Sequence, residues 1–312
     1  MSDTPDITAV REYFGTLQNT ICARFEQLDG VGHFRGSDTP SAGGGLARPR
    51  VLEGGRHIEK AAVQFTHSVG TSLPPAATER NPQLAGHGFQ AVAISLIVHP
   101  LNPYVPTTHM NLRFFMVEAE TPVWYFGGGF DLTPYYGFVD DCVHWHREAS
   151  AACSPFGDAL YAELKEACDR YFYLPHREEP RGIGGIFFDD WTRGGFAPSF
   201  AFVRSVGDRF LPAYAPIFER RMNAPYSDRQ RDFQLYRRGR YAEFNLAIDR
   251  GTKYGLQSGR RVESVLASLP PLAVWRYDYR PEPGTPEADL YERFLPPKWW
   301  VGGPRLVDKS GD

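Results

Sequence analysis

The sequence predicts an α/β protein of the α+β type: a single domain with a large, mainly antiparallel sheet flanked by helices on both faces. Three observations carry this. Strand-like segments cluster in mid-chain at Arg50–Val69, Ala91–Val98, His109–Met116 and Val123–Asp131. Helical stripes surround them, as in Val10, Phe14, Leu17, Ile21 and Phe25 of Asp6–Asp29. No internal repeat, low-complexity linker or shift in composition divides the 312 residues, so 1–312 reads as one domain.

The central stretch runs from Ser95 to Arg113. The apolar run Ala91–Val98 is one strand; Met110, Leu112, Phe114 and Met116 alternating with His109, Asn111 and Arg113 mark another. Pro100, Pro103 and Pro106 cannot donate to a ladder and mark the connection. Antiparallel pairing with His99 opposite His109 sets Ile97 against Asn111 and Ser95 against Arg113. Side chains alternate, so Ser95, His99, His109, Asn111 and Arg113 share one face. That face is either a solvated sheet surface or the floor of a site, with imidazoles for protons or metal and a guanidinium for an anion.

Composition narrows the choice. With 42% apolar and 23% charged residues the chain has ample core, and a net charge of −3 gives no overall attraction to nucleic acid. No run of about eighteen apolar residues offers a membrane span. The acidic opening Met1–Asp6 is unlike a signal or transit peptide. Cys22, Cys142, Cys153 and Cys168 lack Cys-x-x-Cys spacing and suit a reduced, cytoplasmic protein.

Further along, Val123–Phe126 breaks into Gly127-Gly128-Gly129 before Phe130 and Asp131, which suggests a bulge or the close approach of something flat. Phe138–Cys153 reads as a helix whose inward stripe includes His146; His144 lies about 200° away around it. Gly157–Phe172 is a second helix and Phe196–Met222 a long one. Tyr241–Ile248 reads as a strand ending in Asp249-Arg250-Gly251, Arg261–Leu269 as a helix, Leu272–Tyr279 as a strand, and Ala288–Phe294 as a short helix. The glycines after Arg181 meet neither the dinucleotide nor the Walker spacing, so a nucleotide site is rejected.

Several strings together strongly resemble the oxygen-dependent coproporphyrinogen-III oxidases. They are His99-Pro-x-Asn-Pro-x-Val-Pro-Thr, His109-x-Asn-x-Arg113, Phe126-Gly-Gly-Gly-Phe-Asp131-Leu-Thr-Pro and Tyr171-Phe-Tyr-Leu-x-His176-Arg. Arg181-Gly-Ile-Gly-Gly-x-Phe-Phe-Asp189-Asp190, Phe233–Leu246 and Asp249-Arg-Gly-Thr extend the likeness nearly end to end. The resemblance implies a homodimeric enzyme of haem synthesis. It would convert two propionates of coproporphyrinogen III to vinyl groups, with dioxygen as co-substrate and carbon dioxide and hydrogen peroxide released. It implies a divalent metal (manganese, zinc or copper) at His99, His109, His146 and His176, with His109 also the proton donor. Ser95, Asn111, Leu112, Arg113, Gly259, Arg260 and Arg261 match substrate-contacting positions, and Tyr241–Arg276 the dimerisation segment. Arg260 departs from the pattern, where a small residue is common.

A flexible tetra-carboxylate needs apolar walls and a few cations, which Arg113, Arg250, Arg260 and Arg261 supply; each desolvated guanidinium–carboxylate contact contributes roughly 1.5–3 kcal/mol. No flavin, haem or iron–sulfur signature is present, so no organic cofactor is expected. Asp131 or Asp249 is either a base near a pyrrole N–H or a structural residue, in a salt bridge or a turn cap. Four histidines serve a metal or only a proton-transfer network. The alternatives from other classes are a histidine-cluster metal hydrolase and a tetrapyrrole-binding protein without turnover.

Overall fold

A computed structural model describes residues 4–73, 84, 86–257 and 261–302. Helix α1 (Ile7–Asp29) starts where the Asp6 side chain accepts from the Ala9 N–H at 3.0 Å, and stops at Gly30 with φ 76°. There follow β1 (Thr39–Ser41), β2 (Gly45–Glu53), β3 (Ile58–Gly70), β4 (Phe89–Pro100), β5 (Thr107–Val117) and β6 (Val123–Thr133). After α2 (Val139–Cys153) and α3 (Leu160–Tyr171) come a two-residue pair β7 (Tyr173–Leu174) and β8 (Glu179–Pro180), then β9 (Gly184–Trp191). The remaining helices are α4 (Phe196–Arg221), α5 (Asp228–Glu243) running on as a π turn over Phe244–Ile248, α6 (Arg250–Gln257), α7 (Val262–Leu266) and α8 (Pro286–Asp289).

The seven strands of the main sheet lie in the order β1-β2-β3-β4-β5-β6-β9, every pair antiparallel. Even-numbered side chains of β4–β6, among them Ile94, Leu112, Phe114 and Phe130, are buried in one cluster with Phe14 and Phe25 of α1, Trp145 of α2 and Phe210 of α4. The odd-numbered face carries the polar residues, and is covered at one end by Tyr241 of α5 and Ala267 packed on Ala62 and Ile97. Helices therefore stand on both faces, as expected.

The expected sharing of a face by Ser95, His99, His109, Asn111 and Arg113 agrees with the ladder, but the register differs by two residues. Ser95 stands opposite Asn111, Ile97 opposite His109 and Ala93 opposite Arg113. A shift of two keeps the parity and so keeps the face.

Two expected strands are not strands. Tyr241, Phe244 and Asn245 are buried while Leu246 is exposed, which is helical spacing and not alternation. The Ser227–Gln230 capping box starts α5, and the helix carries through this segment. Leu272–Tyr279 lies outside the sheet; Val274 N–H donates to Leu235 O at 2.9 Å, and Leu272, Trp275 and Tyr277 are exposed.

Candidate active site

Pairing of β5 with β6 sets His109 opposite Asp131 and Arg113 opposite Gly127. His109 Nδ1 lies 2.9 Å from Asp131 Oδ1. Because the carboxylate only accepts, Nδ1 carries the proton and Nε2 is left for the open side. Asp131 is 1% exposed. Burial pushes its carboxyl up, but Arg181 and the His109 hydrogen bond outweigh that and hold it below the usual carboxylate range. Arg181 donates to both Asp131 oxygens at 2.8 and 2.7 Å. Its guanidinium sits 4.3–4.6 Å from the ring centres of Phe172, Tyr241 and Phe244. His109 is thus a half-buried imidazole on a buried ion pair walled by aromatic rings.

Beside it, Asn111 Oδ1 accepts from Arg113 at 3.1 Å, and Arg113 donates to Asp189 at 2.6 Å. Arg250 donates to the other Asp189 oxygen at 2.8 Å and lies over the ring of Tyr171, 5.3 Å from its centre. Tyr171 is itself stacked on Phe187.

The glycine run explains how Arg113 lies down. A Cβ on Gly127 would fall 2.6–2.7 Å from the Arg113 guanidinium, so the flat group that approaches the backbone belongs to the protein. Gly128 and Gly129 have φ of 156° and 137°, and the ladder to β9 shifts between Phe126 and Gly128. The extra residue lies on β9, between Phe188 and Trp191, so the run faces a bulge and is not one itself.

Ser95, Asn111 and Arg113 are half-buried on this open part of the face. Phe89, Phe115 and Tyr125 line up beyond them with centroid spacings of 5.8 and 5.3 Å. Leu112 faces the helical core and is fully buried, so its side chain does not join the site; alternation places it there. Gly259 and Arg260 lie outside the described residues. Arg261 is exposed and pairs with Glu263 at 3.2 Å. Asp249 accepts from Thr252 N at 2.6 Å, Thr252 Oγ1 at 2.9 Å and Tyr171 Oη at 3.0 Å. It caps the first turn of α6, the turn-cap reading.

The four histidines occupy four separate environments. His99 is fully buried, its Nε2 donating to Ser268 O at 3.0 Å and its Nδ1 3.2 Å from Thr107 Oγ1, under the edge of Tyr241. Burial, then Arg238, pushes it well below the ordinary histidine range. His146 donates from Nε2 to Ile183 O at 3.0 Å and accepts from Tyr161 Oη at 2.9 Å; burial pushes it down to about 3. His176 meets Glu243 at 2.9 Å in an exposed turn. Among the described residues no three His, Cys, Asp or Glu side chains converge as metal ligands. The donor set does not fit one shared metal ion.

Sequence reasoning missed three residues of this site: Arg181, Asp189 and the ring of Phe172. Each stands in a quoted string, but its role depends on a contact across 50 or more positions for Arg181–Asp131 and 76 for Arg113–Asp189, which periodicity does not report.

Together these features define a class: a one-sheet α/β enzyme whose open sheet face offers guanidiniums, one oriented imidazole and an aromatic wall to a carboxylate-bearing substrate. A family model described as coproporphyrinogen III oxidase matches residues 9–300. The chain belongs to the coproporphyrinogen III oxidase family, and is an oxidoreductase of haem synthesis acting on coproporphyrinogen III. Among the described residues no helix is long and apolar enough to cross a membrane.

Proposed function

We propose that the protein is the oxygen-dependent member type, converting coproporphyrinogen III to protoporphyrinogen IX without an organic cofactor. The observation that carries this reading is the pairing of one oriented imidazole, His109 on Asp131 and Arg181, with the Arg113–Asp189–Arg250 cluster on the same face. For each propionate, the bond to the carboxyl carbon breaks and carbon dioxide leaves. A hydrogen departs with its electron pair from the carbon next to the ring, and dioxygen takes that hydrogen with its pair, and one further proton, to become hydrogen peroxide. Two rounds consume two dioxygen molecules and two protons.

The residues have separate tasks in this scheme. Arg113 and Arg250 receive a substrate carboxylate, and Asn111 steadies Arg113. His109 Nε2 holds or delivers the proton, and Asp131 fixes the tautomer from behind. Asp131 reaches the substrate only through His109, and Asp249 orients Tyr171 and α6. Ser95 lies beside Asn111 on the same floor.

A homodimer in a cytoplasmic setting fits the same reading. Leu246, Tyr254, Leu256, Val262, Leu272 and Trp275, all within 241–276, are exposed, an apolar set that a second copy would cover.

Incubation with coproporphyrinogen III under air and under argon, followed by oxidation and porphyrin analysis, tests the reading. Protoporphyrin and peroxide should form in air alone. Equal conversion under argon rejects the dioxygen role, and binding without conversion in either gas favours a carrier.

A further inference from the structure

Asp189 is given no role by the family resemblance or by the reaction scheme, yet it joins the two guanidiniums of the site. Three features of the fold aim it there. First, β9 makes a bulge at this point: Phe126 pairs with Trp191 while Gly128 pairs with Phe188, so three steps on β9 face two on β6. Asp190 absorbs the extra residue with φ 49°, and its N–H donates back to Asp189 Oδ1 at 3.1 Å. The bulge returns Trp191 to the helical core, where it packs on Phe202, and leaves Asp189 on the odd face with Phe187. Second, the two Asp189 oxygens are divided between elements: Oδ1 takes Arg113 from the middle of the sheet at 2.6 Å, and Oδ2 takes Arg250 from the start of α6 at 2.8 Å. Third, Asp189 stays reachable, with a quarter of its side chain exposed, against 2% for Asp131. Burial raises its carboxyl, but Arg113 and Arg250 prevail and keep it ionised.

We propose that Asp189 is a positioning residue, a built-in carboxylate that holds Arg113 and Arg250 facing each other as a receptor for one substrate carboxylate. The inference rests on the functional reading above. Arg113 spends two of its five N–H donors on Asn111 and Asp189, so a propionate is met by the donors that remain. Arg250 is the more exposed half, its side chain 57% exposed against 31% for Arg113, and it is tied to the sheet through Asp189. Without Asp189 the two like charges repel, Arg250 swings outward, and the propionate is held more weakly and without a fixed orientation.

The test uses the full chain with Asp189→Ala and Asp189→Asn, each checked for native circular dichroism and a cooperative melt. With coproporphyrinogen III in air, both variants should lose kcat on the order of tenfold to a hundredfold, a loss typical of misplacing a reacting group. Sodium formate should restore Asp189→Ala saturably, because the small carboxylate enters the vacated space. It should not help Asp189→Asn, whose side chain fills that space, nor the wild type. Retention of wild-type kcat by Asp189→Ala, or a loss that formate does not relieve, overturns the proposal; if Asp189→Ala does not fold, retention of wild-type kcat by Asp189→Asn does so.

A second readout separates this inference from the functional reading. Binding of oxidised, unreactive coproporphyrin III, followed by fluorescence, should weaken in Asp189→Ala and recover with formate. If the wild type forms no protoporphyrin, the functional reading fails and this binding result alone judges Asp189; unchanged binding then overturns its role.

Discussion

His109 and Asp131 are direct cross-strand partners on β5 and β6, with Nδ1 and Oδ1 2.9 Å apart, and Arg181 closes the far side of the same carboxylate. The register of two strands thus fixes one tautomer of one imidazole. A hydrogen-bonded pair of this kind keeps the ring from turning and leaves Nε2 for the substrate.

Replacing Asp131 by Asn keeps the shape and removes the acceptor charge. The amide favours the opposite tautomer, so kcat should fall about 10²- to 10⁴-fold with KM changed little. Asp131→Ala should in addition destabilise the protein by about 3–5 kcal/mol, since Arg181 stays buried without its counter-charge. Steady-state kinetics and urea unfolding measure the two effects separately.

Gly127→Ala tests the glycine run. The added methyl would overlap the Arg113 guanidinium at 2.6–2.7 Å, and the side chain must lift away from β6. The expected outcome is a loss in kcat/KM on the order of tenfold or more with a nearly unchanged urea midpoint. A large loss of stability instead would mean that Gly127 serves the strand and not the guanidinium.

Acid should destabilise the fold through buried neutral histidines. His146 is pushed from its ordinary 6.5 down to about 3, and His99 well below 6.5. Between the folded and unfolded values the unfolded chain binds more protons, so stability is complete above about pH 6.5 and declines toward pH 3. Each such histidine contributes a slope of about 1.4 kcal/mol per pH unit in that window. Glu243, lowered from 4.5 to about 2 chiefly by Arg177 and His176 against its burial, acts at lower pH, its contribution being lost from about 4.5 downward. Urea unfolding from pH 7.5 to 5 should show a shallower slope for His146→Met than for the wild type, by about one histidine's worth. Parallel slopes would contradict the buried neutral state.

Four histidines with four sets of partners lead to an expectation about metal. Exhaustive chelation should leave turnover within about twofold of the untreated enzyme, and His176→Ala should act likewise, since His176 meets Glu243 in an exposed turn. Elemental analysis alongside activity checks this. Activity lost on chelation and regained with one added metal ion would reverse it.

How far the sequence alone reaches is seen best residue by residue. Alternation sufficed to put Ser95, His99, His109, Asn111 and Arg113 on one face, because a register error of two residues preserves parity. It also sends Leu112 to the other face, although the resemblance places Leu112 with Asn111 and Arg113 among the substrate-contacting positions. Helical phase selected His146 over His144 as inward, and His146 is indeed fully buried; phase does not reveal that Ile183 O and Tyr161 Oη satisfy it. Tyr241–Ile248 reads as a strand because Tyr241, Glu243 and Asn245 alternate with Ala242, Phe244 and Leu246; the helical spacing shows only in which of them are buried, Tyr241, Phe244 and Asn245 but not Leu246. Asp189 is aimed by a bulge opposite a glycine run, and a bulge changes parity locally without a mark in the hydrophobic pattern.

The central claim is that the odd face of β4, β5, β6 and β9 is where the substrate lies. A crystal structure with unreactive coproporphyrin III bound tests it most directly. The account predicts one propionate on Arg113 and Arg250, with His109 Nε2 turned toward the macrocycle and Phe115 and Tyr125 along its edge. A cavity of about 560 Å³ elsewhere, lined by Arg177, Arg240, Tyr236, Tyr279 and Tyr291, offers the contrary result: a porphyrin seated there, with the odd face left empty, would contradict the account.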